Sequence, residues 1–146
     1  AFIDPSLSWK DIPWFRSITN MAIILKGVAT PEDALMAYDI GCQGIVLSNH
    51  GGRQLDTCRS GLENLPEIID ALKTRGPWPN PRFSVLVDGG VRRASDALKA
   101  LALGASAVGI GRGFLYAFCS YGEEGVEKAF QILKASSLYT LSFASH

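Results

Sequence analysis

Four short apolar runs recur along the chain, and each is followed by glycine or polar residues and then by a helical pattern. The runs lie at residues 22–28, 44–48, 84–87 and 107–110. Within each run the apolar residues follow one another without alternation, which is typical of strands buried on both faces of a parallel sheet. The pattern therefore predicts four strands of one parallel sheet.

Apolar residues at helical spacing fill the segments between the runs. They predict helices over residues 9–19, 31–41, 62–72, 95–103, 114–119 and from 122 to at least 133. The second of these helices has a typical start, because Thr30 precedes Pro31 and an acid, Asp33, follows three residues after the threonine.

Successive strand-then-helix units favour an α/β fold with helices outside a parallel sheet. Glycine and polar residues always stand at the carboxyl end of a run, which fits half of a TIM (β/α)8 barrel, about four β/α units long. In such barrels the active site lies at the carboxyl ends of the strands.

Composition narrows the class of protein. The 146 residues carry 14 basic and 14 acidic side chains, so no charge excess indicates a nucleic-acid or membrane partner. Three cysteines without C-x-x-C spacing argue against zinc or a disulfide framework, and we expect no metal site and a reducing compartment. The chain begins with Ala1, and we expect its true start to lie upstream.

The loop after the second run contains His50 and Arg53 on either side of two glycines. An imidazole can accept a proton near neutral pH, and a guanidinium presents a planar fork to a carboxylate. Together they suit a small substrate with a carboxylate and an oxidisable carbon. The alternative is a solvated turn with an incidental histidine.

The loops after the third and fourth runs combine glycines with arginines. They contain Asp88, Gly89, Gly90, Val91 and Arg92, and Gly111 and Arg112. If these runs are the last two strands of a barrel, both loops lie where barrels commonly bind phosphate, through backbone N–H groups and arginines. The alternative is two ordinary tight turns with exposed arginines.

Lys26 and Ser48 stand near the carboxyl ends of the first two runs. A lysine in an apolar strand is costly unless it is paired or faces a ligand, although a strand-end lysine can also extend to solvent. Ser48 is either a hydrogen-bonding partner of a bound ring or simply a small strand-end residue.

Four motifs in order resemble the FMN-dependent 2-hydroxy-acid dehydrogenase family, and residues 3–9 are most similar to its fungal flavocytochrome L-lactate dehydrogenase branch. The motifs are Leu25-Lys26-Gly27-Val28, Ser48-Asn49-His50-Gly51-Gly52-Arg53-Gln54-Leu55-Asp56, Asp88-Gly89-Gly90-Val91-Arg92-Arg93 and Gly109-Ile110-Gly111-Arg112. The resemblance implies the C-terminal half of a TIM barrel that holds FMN.

The resemblance also implies roles for individual residues. His50 would be the active-site base, and Arg53 would bind the substrate carboxylate beside it. Lys26 would lie near the flavin N1 and O2 atoms, and Ser48 would contact the flavin. The ribityl chain and phosphate would be held by Asp88, Gly89, Gly90, Val91, Arg92, Gly111 and Arg112. The implied enzyme oxidises an L-lactate-like (S)-2-hydroxy acid to the 2-oxo acid.

Partners and location follow from the same resemblance. The electron acceptor stays open between a cytochrome, oxygen and a quinone. Members of the family are often homo-oligomeric, no nucleic acid is implied, and an intracellular location is expected, with the mitochondrial intermembrane space as one candidate.

Two features limit what the chain is expected to do alone. Residues 1–134 resemble part of the family's catalytic domain, whereas residues 135–146 form a divergent tail. The family's acidic partner of the histidine lies upstream of residue 1, so we expect the chain alone to be unstable or inactive. The alternative is a non-catalytic half-barrel remnant that at most binds FMN or phosphate, or self-associates.

Overall fold

Four parallel strands form a single sheet whose spatial order follows the sequence. The computed structural model describes residues 6–144, with side chains described as far as residue 138. The strands are β1 (Ile24–Lys26), β2 (Gly44–Leu47), β3 (Ser84–Asp88) and β4 (Ala107–Gly109), in the order β1-β2-β3-β4. Each neighbouring pair is parallel, which confirms the predicted sheet.

A helix follows every strand, as the β/α repeat predicts. A short 3-10 helix (Trp9–Asp11) and α1 (Ile12–Ile18) precede the sheet, and the helices after the strands are α2 (Pro31–Asp39), α3 (Gly61–Lys73), α4 (Ala94–Ala102) and α5 (Arg112–Ala144). The sheet, its order and its helices are those of half a TIM barrel.

Side-chain caps fix where the helices begin. The Asp33 backbone N–H donates to Thr30 Oγ1 at 3.2 Å at the start of α2. Ser60 and Glu63 exchange hydrogen bonds in a capping box at the start of α3, with the Ser60 backbone N–H donating to Glu63 Oε2 at 2.7 Å. These contacts satisfy N–H groups that a helix leaves without partners in its first turn.

The last helix bends where the sequence predicts a break. Tyr121 and Gly122 depart from helical geometry inside α5, with Gly122 at a φ of +60°, which glycine adopts without strain. The helix then runs to residue 144, so the predicted divergent tail begins inside a helix, and residues 145–146 lie outside the described part. That domain boundary stays a prediction.

The core lies between the two central strands and the helices that pack on them. Ile45 and Leu47 of β2, Val85 of β3, and Leu65 and Ile68 of α3 are all fully buried. The close approach of α3 to β2 needs a glycine, because a Cβ at Gly61 would lie 2.3 Å from the Leu47 carbonyl oxygen.

The outer strands differ from the sequence prediction. Burial on both faces holds for most of β2. It is wrong for β3, in which half-buried and buried residues alternate, and for β1 and β4, whose first and last residues are exposed. Ile24 in β1 is 45% exposed. For β1 and β4 the physical reason is position, since within residues 6–144 each pairs with one neighbour only. In the same range no helix is both long enough and apolar enough to cross a bilayer.

Candidate active site

A cavity of about 300 Å³ opens at the carboxyl ends of the four strands. Every predicted site residue except Ser48 and Arg92 contributes to its wall. The lining residues are Lys26, His50, Gly51, Arg53, Asp88, Gly89, Gly90, Val91, Gly109, Gly111 and Arg112. Residues up to 86 positions apart in the sequence therefore meet in one place, as the barrel geometry predicts.

Lys26 links the ends of three strands. Its Nζ donates to Ser48 Oγ at 2.9 Å and lies 3.5 Å from Asp88 Oδ2. The lysine side chain is half exposed and the Asp88 side chain is mostly buried. The lysine is thus paired, and it also lines the cavity.

Asp88 Oδ1 is a buried acceptor that has no hydrogen-bonding partner in the described part of the chain. A buried carboxylate oxygen without a donor costs free energy, and such an atom calls for an explanation. A bound molecule with a hydroxyl group in this cavity would satisfy it.

The His50 loop has an unusual backbone. His50 has a φ of +58°, and Gly51 and Gly52 follow at +69° and +75°. Glycine adopts such values freely, whereas a histidine in this region is strained and needs support from its surroundings. Support comes from Ser48 Oγ, which accepts the His50 backbone N–H at 3.1 Å, and from Asn49 Oδ1, which accepts the Gly52 N–H at 3.0 Å.

The imidazole of His50 is exposed on this loop, and within residues 6–138 no side chain hydrogen-bonds to its ring. The predicted upstream acid that would fix the tautomer of the ring therefore stays a prediction. Asn49 is a site residue that sequence reasoning missed. An asparagine side chain commonly stabilises a turn in a glycine-rich loop, and this is the signal that the sequence offers.

Arg112 connects the fourth strand's loop to the His50 loop. Its Nη2 donates to the Gly51 carbonyl oxygen at 2.7 Å. A Cβ at Gly51 would lie 2.7 Å from the same nitrogen, so the guanidinium occupies space that only a glycine leaves open. Arg112 also opens α5, whose first backbone N–H groups add positive potential to this side of the cavity.

Arg53, Arg92 and Ser48 are placed differently. Arg53 is exposed and lines the cavity without a fixed partner among the described hydrogen bonds. Arg92 lines a neighbouring cavity of about 220 Å³ with Ile110 and Phe114. Ser48 lies in a wider groove of about 1000 Å³ between the ends of β1 and β2, to which Lys26 and His50 also contribute.

The loop that carries Arg92 is held by an aspartate. The backbone N–H groups of Arg92 and Arg93 donate to Asp96 Oδ2 at 3.1 and 3.0 Å. These hydrogen bonds, together with the positive charges of Lys99 and Arg93, lower the pKa of Asp96 below its ordinary value. The loop between β3 and α4 is therefore anchored to the first turn of α4.

The donor set of the cavity suits a phosphorylated, hydroxyl-bearing ligand. It combines three cationic side chains, glycines that leave room for close approach, and one buried carboxylate oxygen that requires a hydroxyl donor. Among the described residues no group of three His, Cys, Asp or Glu side chains is placed to hold a metal ion.

Fold and site together define a class of protein. It is half of a TIM barrel, with a cavity suited to an anion and a histidine–arginine loop at its strand ends. The sequence profile described as FMN-dependent dehydrogenase matches residues 1–144. The chain belongs to this family, whose cofactor is FMN, and it represents part of an FMN-dependent oxidoreductase fold.

Curated relatives are much longer than this chain. L-lactate dehydrogenase (cytochrome) of Wickerhamomyces anomalus is 58% identical over 134 residues, which are 92% of this chain and 23% of the relative. The enzyme of the same name from Saccharomyces cerevisiae is 53% identical over 91% of this chain and 22% of its own length. A peroxisomal (S)-2-hydroxyacid oxidase of Arabidopsis thaliana is 50% identical over 97% of this chain and 37% of its own.

Solved structures agree with the fold. The flavin-binding domain of baker's yeast flavocytochrome b2 superposes with a TM-score of 0.91 at 50% identity, over 97% of this chain and 35% of that chain. A mandelate oxidase superposes with a TM-score of 0.82 at 42% identity, over 92% of this chain and 38% of its own. The chain thus spans about a quarter to somewhat more than a third of these relatives.

Proposed function

We propose that this chain carries the base, the carboxylate-binding arginine and the phosphate site of an enzyme that oxidises an L-lactate-like (S)-2-hydroxy acid to the 2-oxo acid. The observation that carries the proposal is the meeting of Lys26, His50, Arg53, Asp88 and Arg112 in one cavity at the strand ends. Relatives named L-lactate dehydrogenase (cytochrome) and (S)-2-hydroxyacid oxidase support the substrate class.

Two side chains of the His50 loop would act on the substrate. The Arg53 guanidinium binds the substrate carboxylate through paired N–H donors, which sets the position of the adjacent carbon. An unprotonated ring nitrogen of His50 accepts a proton from the substrate as it is oxidised. Only Gly51 and Gly52 separate the two in the sequence, and both line the same cavity.

The remaining wall of the cavity would hold FMN. Arg112, Gly111 and the first N–H groups of α5 suit its phosphate, and the partnerless Oδ1 of Asp88 suits a ribityl hydroxyl. Lys26, held by Ser48 and Asp88, would place a positive charge beside the flavin ring. Gly89, Gly90, Val91 and Arg92 would complete the loop around the ribityl chain and phosphate. When bound, FMN supplies the two-electron acceptor of the reaction.

We further propose that activity needs barrel units beyond these four. The relatives are about three to four times as long. The acid that we expect to orient His50 would lie upstream of residue 1. A non-catalytic half barrel that binds only FMN or phosphate is the second candidate, which the exposed outer strands favour. The electron acceptor, a cytochrome or oxygen, would be set by segments outside the four units.

A segment exchange tests this proposal. The matching 134-residue segment of the Wickerhamomyces anomalus L-lactate dehydrogenase is replaced by that of this chain, and lactate-dependent reduction of a dye is measured. We expect an active, FMN-containing chimera whose activity is lost in His50→Gln. A folded chimera that binds FMN but does not oxidise lactate, glycolate or mandelate would favour the non-catalytic candidate instead.

A further inference from the structure

One hydrogen bond joins two loops that the proposed function uses for different purposes. Arg112 Nη2 donates to the Gly51 carbonyl oxygen at 2.7 Å, across 61 positions of sequence. Gly51 directly follows His50, whereas Arg112 begins α5 beside the proposed phosphate site. The contact therefore connects the loop of the base to the anion site.

The backbone next to the base needs such a contact. His50 is held at a φ of +58°, a conformation that persists in a non-glycine residue only when neighbours enforce it. The two local hydrogen bonds, which Ser48 and Asn49 accept, lie within the same loop. The Arg112 bond fixes the loop to a different part of the sheet.

The guanidinium can serve both purposes at once. Arginine has five N–H donors in a planar fork, and the Gly51 carbonyl uses a donor on Nη2. The donors that remain belong to a side chain that lines the cavity together with Gly89, Gly90 and Gly111. A lysine would lack this planar fork.

We propose that Arg112 is a positioning residue that couples anion binding in the cavity to the conformation of the His50 loop. The proposal rests on the proposed function, in which the anion is the phosphate of FMN. Because coupling between two events is reciprocal, an anion that fixes the guanidinium also orders the loop, and an ordered loop strengthens anion binding.

Two neighbouring glycines provide a matched pair of variants. A Cβ at Gly51 would meet Arg112 Nη2 at 2.7 Å, whereas a Cβ at Gly52 would meet no heavy atom within 4 Å. Their φ values are +69° and +75°, so Gly51→Ala and Gly52→Ala impose similar backbone strain, and only Gly51→Ala displaces the guanidinium.

Binding of inorganic phosphate and of FMN to the full chain is measured by calorimetry and flavin fluorescence. We expect both ligands to bind Gly51→Ala about tenfold more weakly than Gly52→Ala, within the usual range of coupling between sites. In an Arg112→Lys background the difference between the two glycine variants should disappear. Arg93→Lys serves as an exposed arginine control outside the cavity.

The NMR signal of the His50 ring provides a further measurement. A purely structural role of Arg112 would not make this signal respond to phosphate. The chain has two histidines, so His146→Gln leaves His50 as the single imidazole signal in NMR spectra. We expect phosphate to shift this signal, and to slow hydrogen exchange at residues 49–55, in the parent and in Gly52→Ala. Both responses should be lost in Gly51→Ala and in Arg112→Lys.

The outcomes separate this inference from the proposed function. If phosphate and FMN bind Gly51→Ala and Gly52→Ala equally, and the His50 signal responds in both, the coupling is wrong while the FMN site stands. If neither ligand binds the parent chain, the coupling is wrong, while the proposed function still stands provided that the chimera binds FMN. If the chimera does not bind FMN either, both proposals fail. Should Gly51→Ala not fold by circular dichroism, Arg112→Lys decides the question, since it changes an exposed side chain and no backbone.

Discussion

His50, Gly51 and Gly52 share left-handed backbone angles, with φ values from +58° to +75°. The glycines accept this conformation freely, whereas the histidine just before them is strained by it. As a result the imidazole stands exposed at the cavity beside Arg53. The placement of the two side chains therefore depends on the backbone geometry of this loop.

Replacing the base tests the first role. In the chimera we expect His50→Gln to keep FMN binding and to lower kcat by about 10²- to 10⁴-fold, the usual contribution of a general base. Lactate-dependent dye reduction and the flavin absorbance of the purified protein are the two measurements. Activity that survives this substitution would remove His50 from the mechanism.

Replacing the arginine tests the second role. Arg53→Lys keeps the charge but loses the planar fork, and we expect KM for lactate to rise about tenfold, in line with about 1.5 kcal/mol or more for a charged hydrogen bond. The matched control is Arg93→Lys, an exposed arginine that does not line the cavity. Equal KM values for both variants would contradict carboxylate binding by Arg53.

Sequence motifs identified most of the residues that line the cavity, but not the direction in which each side chain points. Glycines and charged residues at strand ends predicted Lys26, His50 and Asp88 correctly as neighbours, because parallel strands end at one edge. The side chain of Arg92 points into an adjacent cavity, and nothing in its motif reports this. The bond from Arg112 to Gly51 depends on loop geometry that a linear pattern does not contain.

Caps set the ends of the helices that frame the cavity. Asp96 accepts the backbone N–H groups of Arg92 and Arg93 and thereby ties the loop after β3 to α4. Glu63 has the equivalent capping position in the first turn of α3, where hydrogen bonds from the Ser60 backbone N–H and hydroxyl lower the pKa of Glu63. In both helices an ionised acid stabilises the first turn.

The cap of α4 makes stability depend on pH in a stated direction. The folded state lowers the pKa of Asp96 below its ordinary value of 3.8, so its contribution is present above that pH and is lost as pH falls through the lowered pKa. We expect Asp96→Asn to destabilise the chain at pH 7, and the difference from the parent to be smaller at about pH 3, below the ordinary pKa of an aspartate.

Urea unfolding at the two pH values measures this effect. The control is Asp70→Asn, because Asp70 forms an exposed pair with Lys73 at 2.8 Å, and such pairs contribute little to stability. A difference between Asp96→Asn and the parent that stays constant with pH would show that the carboxylate charge is not responsible.

Central and outer strands should respond differently to the same truncation. Ile45 in β2 is fully buried, whereas Ile24 in β1 is 45% exposed. We expect Ile45→Ala to lower the free energy of unfolding by about 2–5 kcal/mol. Ile24→Ala should lower it clearly less, because the Ile24 side chain buries little surface in the core. Chemical denaturation of both variants measures this, and equal losses would mean that β1 is covered in solution.

The apolar runs predicted the four strands and their order, but not their exposure. The first run covers residues 22–28, yet the strand itself extends only over Ile24–Lys26. An apolar run reports what a strand buries in a complete barrel, whereas its exposure depends on which neighbours are present. An apolar run therefore does not distinguish a central strand from an outer strand.

At the scale of the whole molecule, apolar surface remains uncovered. Large apolar side chains are exposed near both ends of the sheet, including Trp14, Ile18 and Met21 before β1, and Tyr116 and Phe118 in α5. In the described structure β1 and β4 also leave one edge unpaired. Edges and patches of this kind promote association with other chains.

We expect the isolated chain to self-associate as its concentration rises and to bind a hydrophobic dye such as ANS. Ile24→Lys places a charge on the outer strand and should reduce association, because charged residues protect sheet edges. Sedimentation and dye fluorescence of the two proteins are the measurements. A monomeric parent that unfolds cooperatively and binds no dye would contradict this expectation.

The strand order β1-β2-β3-β4 means that each unit contacts mainly the units next to it in the sequence. Stability then resembles that of a repeat array, in which each unit contributes its own free energy and a term for each neighbour. Within these four units, no strand has to wait for a distant part of the chain before it pairs. Folding can therefore proceed unit by unit as the polypeptide leaves the ribosome, with the cavity assembled only when the fourth unit arrives.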